Sequence, residues 1–339
     1  MKRVLRKDVA QLANVSETTV SVVLNNNIDI IIAEETRQRV FDAAKQLGYY
    51  PHHAARTMAG KKSRTIGVIS PWNARVWFFS EMLNGIRQSA LEANYGVLLC
   101  NILKMQDSPE DCIRYYKEGR IDGVVYMPPD TRDMPGITDL RDVGIPVVIC
   151  NGIDPYGDMG HTVIDYAEGI YKAAGYLYHM GFQNLLYILP NEEKHLCSGD
   201  AERLRGFSKA ADGLGFKMKT EIININCSVD ERLKAVAAIL DKYPKPLGIV
   251  SCYWYYAYYF QTAAVLKGLA INRDLMVIAG DIEDTAEGLY PAISGIKLPF
   301  HELGQISTRK LIGRLEGMKE DDFYSAIEGE YPFLRVKEI

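Results

Sequence analysis

The sequence predicts two parts of different fold class, an all-α head built on a helix-turn-helix and an α/β body of two lobes. Near the N-terminus, apolar residues recur at helical spacing between turn and capping residues. From Thr65 onward, short aliphatic runs alternate with helical stretches. The charge is divided as well: residues 1–65 carry +5 and the remainder −9, in a chain of 339 residues with a net charge of −4.

In the head, DVAQLANVSETTVSVVLN places Val9, Leu12 and Ala13 at helical spacing, and Asn14 is a turn residue. Residues 5–13 and 16–24 read as two helices. Ser16 stands where an N-cap belongs, its oxygen free for an amide of the second helix. Val20, Val23 and Leu24 form that helix's buried stripe, leaving Glu17, Thr18, Thr19, Ser21 and Val22 facing outward. Such a helix meets base edges through its N-terminal half. An Asn-rich loop runs from Asn25 to Ile32, with Ile30, Ile31 and Ile32 expected against the small core. A third helix follows at 34–47, buried through Val40, Phe41, Ala44 and Leu47. Ala33 offers it no capping oxygen, which costs about 1 kcal/mol. Glu34 and Glu35 partly offset this through the helix dipole. Beyond Pro51, residues 52–59 can form one short Ala-rich helix, too short to be stable alone in water.

In the body, TIGVIS (65–70), GVLLCN (96–101), DGVVYM (122–127) and PVVIC (146–150) read as buried strands. Helices lie at about 78–93, 108–118 and 136–143. A second run has helices at 166–180, 200–214, 230–241 and 255–268. Its strands are LLYIL (185–189), EIINI (221–225), LGIVSC (247–252) and LMVIAG (275–280). AISGI (292–296) and a helix from Phe300 to Leu315 follow, and YPFLRVKEI reads as a final strand. Such alternation implies doubly wound parallel sheets, and two runs in tandem imply two lobes with a cleft. Ligands of such sheets bind beyond the carboxyl ends of the strands.

Composition is that of a soluble globular protein, with 47% hydrophobic and 24% charged residues. No apolar run reaches the roughly 18 residues that span a bilayer. Asp8 and Gln11 interrupt the place where a signal peptide would turn apolar, so a cytoplasmic protein is expected. The six cysteines, Cys100, Cys112, Cys150, Cys197, Cys227 and Cys252, show no CxxC spacing or zinc pattern. They read as free thiols, and no metal or cofactor is expected. GxGxxG, P-loop, HExxH and GxSxG motifs are absent, so no catalytic residues are assigned. A basic head on an acidic body is the pattern of a nucleic-acid reader fused to a part that does not bind nucleic acid.

DVAQLANVSETTVSVVLN, EETRQRVFDAAKQLGYYP and AARTMAG, in that order, resemble the lactose/galactose repressor (LacI/GalR) family of bacterial transcription regulators. The resemblance implies a helix-turn-helix DNA-binding head at 1–50, a hinge helix and linker at 51–64, and a periplasmic-binding-protein-like effector domain at 65–339. In that domain, lobe 1 takes about 65–163 and 295–323, and lobe 2 about 164–294 and 324–339. Ser16, Glu17, Thr18, Thr19, Ser21, Val22 and Asn25 then face DNA, as do His52, His53, Ala55, Arg56 and Met58 of the hinge. Glu17 and Thr18 hold the first two base-reading positions, and Val22 offers only contact with a thymine methyl. Met58 stands at the minor-groove wedge. Arg56, Lys61 and Lys62 serve phosphates.

The resemblance also places a ligand among Phe78, Phe79, Asn151, Arg203, Tyr253, Trp254 and Asp281. Arg203 and Asp281 are the leading pair. Where relatives carry Asn-Asp after the corresponding strand, this chain has Tyr253-Trp254-Tyr255-Tyr256. A larger and more aromatic cleft is expected, suited to a sugar, a glycoside or another ringed ligand. The function implied is a ligand-controlled repressor, a homodimer on a palindromic double-stranded operator, with no membrane contact. A sugar-binding transport component and an α/β enzyme are the alternatives. The basic head argues against the first and the absent catalytic motifs against the second. For the head alone, a three-helix bundle used for protein contacts is the competing reading.

Overall fold

The computed structural model describes residues 4–24, 30–49, 62–101, 109–224, 227–318, 324–327 and 329. They form two compact units, a head and a body that begins at Arg64.

The head is three helices, α1 (Arg6–Ala13), α2 (Glu17–Leu24) and α3 (Glu34–Leu47). The Asp8 carboxylate accepts the Leu5 amide at 2.8 Å and opens α1. Asn14 closes it in the left-handed region at φ 51°, which Asn tolerates better than most residues. Ser16 Oγ accepts the Thr19 amide at 3.0 Å, the N-cap expected for α2. Ala33 provides α3 with no side-chain cap. Val9, Ala13, Val20, Val23, Val40 and Ala44 make the core.

Three expectations for the head fail. Phe41 is 45% exposed and Ala43 is buried instead, because positions 40, 43 and 44 share a helical stripe from which 41 is turned by about 100°. Ile31 is 98% exposed, and of the Ile30–Ile32 run only Ile32 packs on the core. Val22, expected to face outward, is only 8% exposed. Val20, Val22, Val23 and Leu24 fall within five positions, so their apolar surface wraps beyond a single face of α2.

The body alternates strand and helix. In order it contains β1 (Thr65–Ser70), α4 (Trp77–Glu92), β2 (Gly96–Asn101), α5 (Glu110–Lys117), β3 (Gly123–Tyr126), α6 (Ile137–Asp142), β4 (Val147–Cys150), β5 (Gly160–Ile164) and α7 (Tyr166–His179). Next come β6 (Asn184–Leu189), α8 (Ser198–Leu214), β7 (Thr220–Ile222), α9 (Val229–Lys242), β8 (Leu247–Ser251), α10 (Trp254–Leu266), β9 (Leu275–Ala279) and β10 (Ser294–Gly295). The last are α11 (Phe300–Leu315) and β11 (Tyr324–Ile327). The first sheet has the order β11-β5-β4-β3-β1-β2 and the second β10-β9-β8-β6-β7. Their strand pairs are parallel. Strands β1, β3, β4, β6, β8 and β9 are nearly continuous buried runs, as a parallel sheet covered on both faces requires.

Strand β5 was not legible in the sequence. Its GHTVI has a Gly and a His where an aliphatic run would signal a strand, and alternate residues are only partly buried. The lobe division also needs correction: β11 pairs with β5, Tyr324 opposite His161 and Ile327 opposite Ile164, so 324–327 belongs to the first lobe. The expected strand at 331–339 lies outside the described residues, as does the expected hinge helix at 52–59. The chain crosses between lobes after β5, where the Asp165 amide donates to Ile327 O at 3.1 Å, and again between β10 and α11.

Three glycines let helices touch. A Cβ on Gly85 of α4 would collide with the carbonyl of His301, and one on Gly304 of α11 with that of Met82. Gly206 of α8 lies equally close to the backbone of Ala167 on α7.

Candidate functional site

The carboxyl ends of the strands converge on a cleft between the lobes, as the parallel topology requires. From the first lobe come Trp72 and Phe78 after β1, Asp130 and Thr131 after β3, Asn151 after β4, and Phe300 at the start of α11. From the second come Tyr166 at the start of α7, Cys197, Gly199 and Arg203 at the start of α8, Tyr253 after β8 and Asp281 after β9.

One wall is aromatic. Trp72 and Phe78 meet edge to face at 5.4 Å between centroids, and Phe78 lies 5.6 Å from Phe300. Trp72 Nε1 donates to Pro128 O at 3.3 Å, which keeps its polar atom satisfied.

The opposite wall is a buried polar network. Arg203, 5% exposed, donates through Nη1 to Asp200 Oδ1 at 3.0 Å. The Tyr253 hydroxyl reaches both oxygens of the same carboxylate, at 3.0 and 2.8 Å. The Arg203 guanidinium lies 4.2 Å over the Tyr166 ring and 5.5 Å from that of Tyr253. Burial opposes its charge, but Asp200 beside it holds the guanidinium protonated well beyond the ordinary range. Its Nε is buried with no hydrogen-bond partner among the described residues.

Asp281 accepts the Trp254 amide at 3.0 Å and so caps α10. Burial pushes its carboxyl up to about 7, against the pull of Arg203 and the Trp254 amide. Asn151, at φ 63°, donates through Nδ2 to the Tyr166 hydroxyl at 3.0 Å across the lobes. Asp130 Oδ2 accepts the Ser198 amide at 2.7 Å in the first turn of α8, also across the lobes. Burial raises the Tyr166 phenol to about 12, so this hydroxyl remains a donor.

The expected ligand residues therefore divide. Phe78, Asn151, Arg203, Tyr253 and Asp281 come together around the cleft. Phe79 does not: it shares a helical stripe with Met82 and Ile86 and is buried in the first-lobe core. Trp254 contributes its backbone amide to Asp281, while its ring packs edge to face with Tyr255 at 6.1 Å in the second lobe. The cleft is about 190 Å³, below the roughly 300–1,000 Å³ usual for drug-sized ligands. Tyr253 lines it with its hydroxyl bonded to Asp200 on the same wall.

In the head, Ser16 caps α2 and Thr18 is exposed, while Thr19 and Ser21 are half-buried. Glu17 is ion-paired with Arg6 at 3.0 Å. The burial of Val22 removes the outward face on which its expected thymine contact relied. Asn25, His52, His53, Ala55, Arg56, Met58 and Lys61 lie outside the described residues.

Residues 7–52 match the family model of bacterial regulatory proteins of the lacI family. Residues 63–253 match that of periplasmic binding proteins and the sugar binding domain of the LacI family. The chain belongs to the LacI family. It is 28% identical to the HTH-type transcriptional regulator RegA of Clostridium saccharobutylicum, over 96% of each chain. It is 30% identical to the HTH-type transcriptional repressor PurR of Vibrio vulnificus, over 93% of each. A lac repressor dimer bound to operator and the anti-inducer ONPF shares the fold with a TM-score of 0.79, at 20% identity over 97% of each chain. The protein is a DNA-binding transcription regulator controlled by a small ligand, and not an enzyme.

For a LacI-family effector domain, the sequence did not point to Asp200, Tyr166, Asp130 or Phe300. Asp200 had a signal: it precedes Arg203 by three residues on one helix, the spacing at which opposite charges meet. Tyr166 was hidden because the strand before it was unread. Asp130 sits in a loop, where periodicity carries no information.

Proposed function

We propose that this regulator is a cytoplasmic homodimeric repressor that binds a palindromic operator and is controlled by a neutral, hydroxyl-bearing ring of about monosaccharide size. The observation that carries the ligand reading is the charge balance of the cleft. Its one cation among the described lining residues, Arg203, is already paired with Asp200, while Asp281 and Asp130 add negative charge. A phosphorylated or carboxylated ligand would find no unpaired cation among these lining residues and would face Asp130 and Asp281, and desolvating such an anion is costly. A sugar instead brings hydroxyls that accept from Arg203 Nε and donate to Asp281, with apolar faces that pack on Phe78, Trp72 and Phe300.

Asn151, Tyr253 and the Arg203–Asp281 pair are the proposed polar contacts, and α2, capped by Ser16, is the proposed recognition helix. Two copies double a short half-site into a palindrome. No described helix is long and apolar enough to cross a membrane, which fits the cytoplasmic reading. Closure of the lobes on the ligand shifts them relative to each other, and that motion is the proposed route to the DNA-binding head.

Calorimetric titration with neutral sugars, the same sugars as phosphates, and free purine bases tests this reading. Binding of a neutral sugar with no measurable binding of its phosphate is expected. A phosphate that binds more tightly than its parent sugar, or a purine base as the sole ligand, would overturn it.

A further inference from the structure

We infer that Arg6 is a positioning residue for base reading: it holds the carboxylate of Glu17 in place at the front of α2, where it selects a cytosine in each half-site. This rests on the proposed reading of α2 as the recognition helix.

Glu17 is the first residue of α2, directly after the Ser16 cap. The N-terminal residues of such a helix are those that reach base edges. A carboxylate there is favoured by the helix dipole. It is nevertheless a difficult reader, since DNA phosphates repel it and its long side chain must lose rotamer freedom to meet a base. The Arg6 bond answers both difficulties. Arg6 Nε donates to Glu17 Oε2 at 3.0 Å, which fixes the carboxylate from α1 and brings a positive charge beside it. The two side chains remain 48% and 49% exposed, so the pair is open to a partner. An ionised carboxylate has about four acceptor positions, and one bond to Arg6 leaves capacity for a base amino group. In the major groove the matching donor for an acidic side chain is the cytosine N4 amine.

An exposed ion pair of this kind contributes little to stability. If Arg6 served only to join α1 to α2, its loss would leave base preference unchanged. If it served a phosphate, its loss would weaken all sequences alike and lower the salt dependence. Positioning predicts a change at one base position.

The test uses the full-length protein and a randomised duplex library, selected and sequenced at two salt concentrations. The variants are Arg6→Ala, Arg6→Gln, Arg6→Lys, Glu17→Gln and the double variant R6A/E17Q, with thermal melting to confirm folding. Wild type is expected to require cytosine at one position of each half-site. R6A and R6Q should lower that preference about ten-fold, R6K should restore part of it, and R6A should change nothing at that position in the E17Q background. An unchanged preference in R6A and R6Q, with a uniform loss of affinity and a smaller salt slope, would overturn the proposal and leave Arg6 a phosphate contact. A wild-type palindrome with no position sensitive to E17Q would also overturn it. A folded wild-type protein that enriches no sequence would strike at the recognition-helix reading itself.

Discussion

Asp281 joins two tasks in one side chain, capping α10 and facing the cleft. Its carboxyl is raised from the ordinary 3.8 to about 7 because it is buried. Between those values the folded protein keeps a proton that the unfolded chain has released. Its contribution to stability therefore falls as pH rises from about 4 to about 7, and is level above that. Asp281→Asn keeps an acceptor for the Trp254 amide and removes the buried charge. Its stability advantage over wild type should grow across that window, by up to about 4 kcal/mol at about 1.4 kcal/mol per pKa unit. Chemical unfolding at a series of pH values checks this, and parallel curves for the two proteins would refute it. Binding of a ligand that donates to this carboxylate should strengthen from pH 5.5 to about 7 and then level off. The residue scale also shows why Tyr253 could not be read from sequence. Its place after β8 was clear, but not that its hydroxyl would turn to Asp200, which lies 53 residues away.

Among the elements, the contact of α4 with α11 depends on the absence of two side chains. Gly304→Ala would press a methyl group against the carbonyl of Met82 and force the helices apart. Overpacking of this kind costs about 1–3 kcal/mol, and the denaturant midpoint should fall with the slope unchanged. The opposite outcome is expected in the head. Ala33→Ser supplies the oxygen that α3 lacks and should stabilise the head by about 1 kcal/mol, seen as a higher melting temperature. The helix boundaries in both parts follow directly from caps and apolar spacing. Strand β5 does not, because its pairing with β4 and β11 forms it without a local aliphatic signal.

Across the whole body, the lobes are tied at the cleft edge by Asp130 to the Ser198 amide, Asn151 to Tyr166, and Arg132 to Glu202 at 3.2 Å. The Asp130 bond is the best placed of these, since a carboxylate meets the N-terminus of α8, a helix of 17 residues. Asp130→Ala should ease lobe opening and weaken ligand binding about ten-fold, the scale of one charge-assisted hydrogen bond. Calorimetry measures this, and an affinity equal to wild type would show that the bond carries no closure energy. Linkage gives a second check. The factor by which ligand changes operator affinity must equal the factor by which operator changes ligand affinity, in wild type and variant alike.

The sequence by itself determined the order of elements other than β5, the division into a basic helical head and an acidic α/β body, and the search for a site after the strands. These depend on local periodicity, caps and charge, which neighbouring residues carry. Arg203 and Asp281 were singled out by the family resemblance, and both line the cleft. Only the tertiary structure decided which lobe takes 324–327, that Phe79 and the Trp254 ring face the core, and that the Tyr253 hydroxyl turns to Asp200. It likewise paired Arg6 with Glu17 and buried Val22. Each of these depends on which distant backbone comes close. A strand edge, a carbonyl beside a glycine, or a carboxylate on another element leaves no trace in the spacing of residues along the chain.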